Sequence, residues 1–146
     1  GTPRAAEGFD RVVGGDALLE TAAQADYLIS VLPGSAANRH RIDRSVFAAM
    51  KPSAHFISVG RGETVDEAAL IEALVTEGIA GAGLDVYERE PLAADSPLWD
   101  MPNVVVCPHI GGYFTEYEAY VLPLIVDNMR LYLAGRPGEM RNLIAH

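Results

Sequence analysis

Three short runs of almost unbroken apolar character limit this fold most strongly: Tyr27 to Leu32, Ala54 to Val59 and Ile79 to Leu84. A strand with one wet face alternates apolar and polar residues. A run without that alternation reads as a strand of a parallel sheet covered on both faces. A fourth, shorter run, Val104 to Val106, closes at Cys107-Pro108. The stretches between the runs carry helix signals. Asp16 precedes Ala17-Leu18-Leu19-Glu20 as an expected N-cap, with the helix reaching Gln24. Asp43 stands before a helix over Arg44 to Met50, ended by Lys51-Pro52. Asp66 stands before Glu67 to Glu77, with Leu70, Ile71 and Leu74 as its apolar stripe and Gly78 as its stop. Strand alternating with helix specifies an α/β fold with a parallel sheet and helices on both faces.

The flanks are less regular. Gly1 to Gly15 is turn-rich, and within it Phe9 to Val13 is expected as a short edge strand. Tyr87 to Pro102, with three prolines, reads as a loop. The last long element, about Phe114 to Ala134, carries apolar residues on several faces, and Pro123 inside it predicts a kink or a restarted helix.

Composition narrows the partners. The 146 residues carry a formal net charge of -9, which argues against nucleic acid and against anionic membrane surfaces. It leaves room for a small anion, because one arginine can dominate a local pocket. The single cysteine, Cys107, cannot form an internal disulfide and suits a reducing, cytoplasmic setting. No apolar run reaches the roughly 18 residues of a membrane span. No secretory pattern is visible in the first residues, and nothing suggests a metal site. The abrupt start, Gly1-Thr2-Pro3-Arg4, reads as the middle of a longer polypeptide.

In open parallel sheets, ligands bind beyond the carboxyl ends of the strands. Pro33, Arg61, Asp85 and His109 each follow an expected strand, so four strand ends bring a proline, a guanidinium, a carboxylate and an imidazole to one rim. Arg61 sits between Gly60 and Gly62, where the backbone can turn sharply and approach a ligand. An arginine fork suits a carboxylate. An imidazole with a carboxylate partner can give or take a proton near neutral pH. Together they suit interconversion of a 2-keto acid and a 2-hydroxy acid with hydride from a nicotinamide. Taken singly, each residue has a plainer reading. A lone arginine after a strand is more often a surface ion-pair residue, Glu90 sits among the loop charges Glu88 and Arg89, and Asp85 can cap a turn. His40 and His55 show no partner pattern.

Several segments in order form a more specific signature. They are Val31-Leu32-Pro33, Val59-Gly60-Arg61-Gly62 with Val65-Asp66, Gly83-Leu84-Asp85-Val86-Tyr87 through Glu90-Pro91-Leu92, Ser96-Pro97-Leu98, Asn103-Val104, and Pro108-His109-Ile110-Gly111-Gly112. Over nearly its whole length the chain resembles the C-terminal two-thirds of the nucleotide-binding domain of D-isomer-specific 2-hydroxyacid dehydrogenases, which include glyoxylate/hydroxypyruvate reductases and phosphoglycerate dehydrogenase. The resemblance implies catalytic roles for Arg61 (substrate carboxylate), His109 (general acid/base) and Glu90 (orienting and charging His109). It implies NAD or NADP as cofactor, with Asp85 on the nicotinamide carboxamide and Leu32, Pro33, Val59, Gly60, Arg61, His109, Gly111 and Gly112 lining the cofactor. It implies a small 2-keto or 2-hydroxy acid as substrate and a homodimer in the parent protein. The alternatives are a non-catalytic dinucleotide-sensing or regulatory module, or an inactive fragment in the 146 residues by themselves. The chain departs from the family at Ser58, where many relatives carry Asn, and at Tyr113-Phe114, which displace Thr115 by one position.

No G-x-G-x-x-G stands between a strand and a helix, so the expectation is a partial Rossmann-like domain over residues 1–146. It lacks the first strands and the glycine-rich turn, and residues 113–146 form its C-terminal helical segment. In that arrangement the strand from Tyr27 has an unpaired edge. Thr2 and Arg4 are placed near the adenine ribose, where Arg4 could hold a 2′-phosphate. The 146 residues alone should therefore bind NADH and NADPH weakly or not at all. Isothermal titration checks this, and micromolar binding would contradict it.

Overall fold

The computed structural model describes residues 7–143. Thr2 and Arg4 lie outside the described residues. The chain divides into a unit ending at Gly111 and a second beginning at Gly112.

The first unit is built on four parallel strands in the order β1-β2-β3-β4: β1 Tyr27–Ser30, β2 His55–Ser58, β3 Gly81–Leu84 and β4 Val104–Val106. Their register aligns Ser30 with Ser58, Ser58 with Leu84, and Leu84 with Val106, so the four strands finish level. The helices are α1 Leu18–Gln24, α2 Arg44–Ala49 and α3 Glu67–Val75. Right-handed crossovers between strands that advance in one direction put successive helices on one side of the sheet. Contacts of α1 with α2 and of α2 with α3 agree.

The core lies between those helices and one sheet face. Ala22, Val46, Phe47, Leu70 and Leu74 of the helices pack with Phe56, Ala82 and Leu84 of the strands. Phe56 is fully buried and meets Phe47 edge to face, with ring centroids 5.2 Å apart. The opposite sheet face, expected to be covered as well, is not covered from within the first unit. Tyr27, Ile29, Val31 and Val105 are exposed there. As expected, β1 forms one edge of the sheet.

Local capping follows the sequence at two helices. Asp43 accepts from the Ser45 and Val46 amides, and Asp66 accepts from the Ala69 amide. Asp16 does not act as a cap. It lies inside a short 3-10 turn, Gly15–Ala17, that feeds α1 without a side-chain cap. Phe9 to Val13 forms no strand. A strand exists only through its neighbour's hydrogen bonds, and none runs beside it among the described residues. The strands are also shorter than their apolar runs: β1 ends at Ser30 and β3 begins at Gly81.

The second unit is dominated by one helix, α4 Tyr117–Leu133, which runs through Pro123 without restarting. Gly135, at φ 70°, ends it in the left-handed region.

Truncating Phe56 to Ala removes a fully buried ring and should cost about 3–5 kcal/mol of first-unit stability. Urea unfolding followed by circular dichroism measures this. A loss below about 1 kcal/mol would mean that the helix–sheet interface is not the core.

Candidate active site

The rim after the strand ends carries the chemistry. β1 leads to Leu32 and Pro33, half-buried and exposed respectively, and β2 leads through Val59 and Gly60 to Arg61. Gly60 is forced by close approach: a Cβ there would stand 2.6 Å from the Leu32 carbonyl oxygen. Gly62 is more tightly constrained, since its Cβ would stand 1.8 Å from the Tyr87 carbonyl oxygen. The arginine turn is therefore pressed against the segment that leaves β3, and only glycine admits that contact. Arg61 itself is exposed, and its Nη1 donates to the Gly60 carbonyl at 2.8 Å.

The segment leaving β3 holds most of the site together. Asp85 is buried, and its two carboxylate oxygens accept the Ile110 amide at 2.8 Å and the Gly111 amide at 2.9 Å. Tyr87 is buried too. Its hydroxyl lies 2.9 Å from the Leu84 carbonyl and 2.8 Å from the Cys107 carbonyl, and it accepts the Cys107 amide at 3.1 Å. Burial pushes that hydroxyl up to about 12, so it stays protonated at working pH. Glu90 accepts the Tyr87 amide on Oε1 at 3.1 Å, and its Oε2 lies 2.7 Å from His109 Nδ1.

His109 is held on three sides: by its own ring on Glu90, by Tyr87 on Cys107, and by Asp85 on the two amides that follow it. Its backbone sits at φ 56°, in the left-handed region that a non-glycine residue occupies only when its surroundings enforce it. With Nδ1 committed to Glu90, Nε2 is the nitrogen left for a reacting group. Burial pushes the Glu90 carboxyl up, but the His109 hydrogen bond, the Tyr87 amide and the charges of His109 and Arg61 outweigh it. The net position is below the ordinary carboxylate range. The imidazole is in direct contact with this carboxylate, whereas the Arg61 side chain hydrogen-bonds the Gly60 carbonyl and acts on Glu90 only through its charge.

Arg61, Asp85, Glu90 and His109 all lie in the first unit, on the segments that leave β2, β3 and β4. Gly111 belongs with them through Asp85, whereas Gly112 is the first residue of the second unit. The sequence reading gave Tyr87 no part of its own. Local pattern offers no signal for it, since Tyr87 stands between Asp85 and the charges Glu88, Arg89 and Glu90, and only the fold buries its hydroxyl among backbone partners. Beside His109 lies a cleft of about 390 Å³ lined by Tyr87, Glu90, Leu92, Trp99, Cys107 and Pro108. A larger hollow, about 790 Å³, sits between Pro52, Leu74, Ile79 and Asn103 at the far ends of the strands. It contains neither histidine nor arginine, so size does not mark the chemistry here.

A level parallel sheet with a cation, two carboxylates and an imidazole on its C-terminal rim has the layout of a nucleotide-binding α/β domain. Residues 3–111 match the family model for the D-isomer specific 2-hydroxyacid dehydrogenase, NAD binding domain, and the chain belongs to that family. Glyoxylate/hydroxypyruvate reductase B of Pectobacterium carotovorum subsp. carotovorum is 49% identical over 117 residues, which are 80% of this chain and 37% of that protein. The Salmonella newport protein of the same name is 47% identical over 121 residues, covering 83% of this chain and 36% of its own length. Among solved structures, a D-isomer specific 2-hydroxyacid dehydrogenase from Xanthobacter autotrophicus Py2 in complex with NADPH and MES superposes with TM-score 0.87 at 40% identity. That match covers 99% of this chain and 58% of the other. An NADPH-dependent glyoxylate/hydroxypyruvate reductase from Sinorhizobium meliloti in complex with NADP and malonate gives TM-score 0.78 at 34% identity, covering 97% of this chain and 46% of the other. The chain thus spans little more than a third of the length of the curated relatives it matches.

The depressed Glu90 carboxyl makes a stability contribution with a defined sign. It is fully present above the pKa of an unfolded glutamate and is lost as pH falls through the lower, folded value. Acid titration of unfolding midpoints should show this loss in the wild-type chain and a flatter profile in Glu90→Gln. Parallel profiles would show that the Glu90–His109 contact does not persist in solution.

Proposed function

We propose that this chain is the catalytic-rim portion of a nicotinamide-dependent oxidoreductase that interconverts a 2-keto acid and a D-2-hydroxy acid of the glyoxylate or hydroxypyruvate type. The observation that carries this reading is the 2.7 Å contact between His109 Nδ1 and Glu90 Oε2, on the same strand-end rim as the arginine turn. Arg61 offers its fork to the substrate carboxylate and sets the keto group's orientation. His109 Nε2 gives a proton to the carbonyl oxygen in reduction and takes it back in oxidation. Glu90, bonded to Nδ1, fixes the ring's tautomer and orientation.

The rim's chemistry fits a nicotinamide. Val31 and Val59 adjoin each other at the ends of β1 and β2, and both are exposed, as is Ile110. Apolar side chains left open at a strand-end rim suit the face of a planar ring. When bound, NAD or NADP supplies or accepts the hydride. Leu32, Pro33, Val59, Gly60, Arg61, His109, Gly111 and Gly112 would line it. Asp85, with further lone pairs beyond the two amides it holds, would accept the carboxamide N–H. The rest of the reading follows the family: a homodimer working in the cytoplasm. Among the described residues no helix is long and apolar enough to cross a membrane.

The alternative, a dinucleotide-sensing module without catalysis, does not need an imidazole held on a carboxylate as His109 is on Glu90. Reduction of glyoxylate or hydroxypyruvate, followed by NADPH and NADH absorbance, tests the proposal in the polypeptide that carries this domain. His109→Gln should lower kcat by about 10²–10⁴-fold. Arg61→Ala should lower kcat/KM for the keto acid by a larger factor than it weakens cofactor binding. Activity within error of wild type in both variants would overturn the reading.

A further inference from the structure

His40, which the sequence leaves without a partner, has one. Its Nε2 lies 2.7 Å from Glu88 Oε1, and Arg39 Nη2 donates to the same oxygen at 3.0 Å. The Glu88 amide donates to Glu67 Oε2, at the start of α3, at 3.1 Å. The His40 amide donates to the Glu63 carbonyl at 3.0 Å, and His40 takes φ 49°, a second histidine in the left-handed region.

These contacts join three loops. Arg39 and His40 follow β1, Glu63 belongs to the arginine turn after β2, and Glu88 follows β3. Because the strands lie in the order β1-β2-β3, the bond from His40 to Glu88 spans the turn that carries Arg61. That turn already packs on the Tyr87 carbonyl through Gly62. Glu88 in turn stands between Tyr87, whose amide holds Glu90, and Glu90 itself.

We infer that Glu88, gripped by His40 and Arg39, is a positioning residue that holds the Glu90–His109 pair in its working arrangement. The inference rests on the proposed function of the same rim. A partly exposed ion pair of this kind adds little to stability, typically about 0–1 kcal/mol. Its consequence lies in geometry: a small displacement of a catalytic group slows the reaction far more than it weakens the fold. Glu88 touches neither Arg61 nor His109 among the hydrogen bonds and ion pairs described, so it acts through the segment that carries Glu90.

The test uses keto-acid reduction by the polypeptide that carries this domain, at saturating NADPH and across pH, with Glu88→Ala, Glu88→Gln, Glu90→Gln and the double variant Glu88→Ala/Glu90→Gln. Glu88→Ala should lower kcat about ten-fold with little change in the cofactor KM or the unfolding midpoint. Its acid limb should move to higher pH, because Glu90 loses the arrangement that keeps it ionised. Glu88→Gln, which still offers an oxygen to both donors, should recover most of the rate. In the Glu90→Gln background, Glu88→Ala should cost at most about two-fold more, as expected of residues acting through one group. The inference is overturned if Glu88→Ala keeps the wild-type rate and pH profile while Glu90→Gln is slow, or if its loss multiplies in full on Glu90→Gln. A Glu90→Gln variant as active as wild type would instead remove the proposed function, and this inference with it.

Discussion

Four parallel strands that end level determine where this molecule can do chemistry. Pairing Ser30 with Ser58, Ser58 with Leu84 and Leu84 with Val106 leaves no freedom in which residues reach the rim. A slip of one residue in β2 would exchange Phe56 for its neighbours on the core face and turn the arginine loop away from its partners. The buried Phe56, packed against Phe47, therefore constrains the position of Arg61 as well as the stability of the sheet.

The segment leaving β3 then converts alignment into a site. Within six residues it supplies Asp85 for the amides after His109, Tyr87 for Cys107, Glu88 for Arg39 and His40, and Glu90 for the imidazole. Polar groups engaged in a connected network hold their geometry better than isolated pairs. The strained backbone of His109 is consistent with such support, since a left-handed non-glycine residue persists only where neighbours over-determine it.

Much of this was legible from residue order, for physical reasons that differ from place to place. Asp43 and Asp66 read correctly as caps because a side chain bonding an amide two or three residues on is a local event. The parallel sheet read correctly because unbroken apolar runs have few other uses. Asp16 misled because the same local pattern also suits a 3-10 turn. Phe9 to Val13 misled because strand character depends on a neighbour that no local pattern reports. The grip of Asp85 on Ile110 and Gly111, and that of Glu88 on His40, join residues 25 to 48 positions apart and leave no trace in local pattern. Glu88 in particular reads as one more charge in a charged loop until the fold brings His40 to it.

The central claim is that Arg61 and His109 converge on one keto acid, with Glu90 behind the imidazole. A crystal structure of the polypeptide that carries this domain, with a nicotinamide cofactor and the unreactive keto-acid analogue oxamate, tests it most directly. The account expects the oxamate carboxylate on the Arg61 guanidinium and its amide carbonyl oxygen within hydrogen-bond distance of His109 Nε2, while Nδ1 stays on Glu90. Oxamate bound with its carboxylate away from Arg61, or with His109 turned off Glu90, would contradict it.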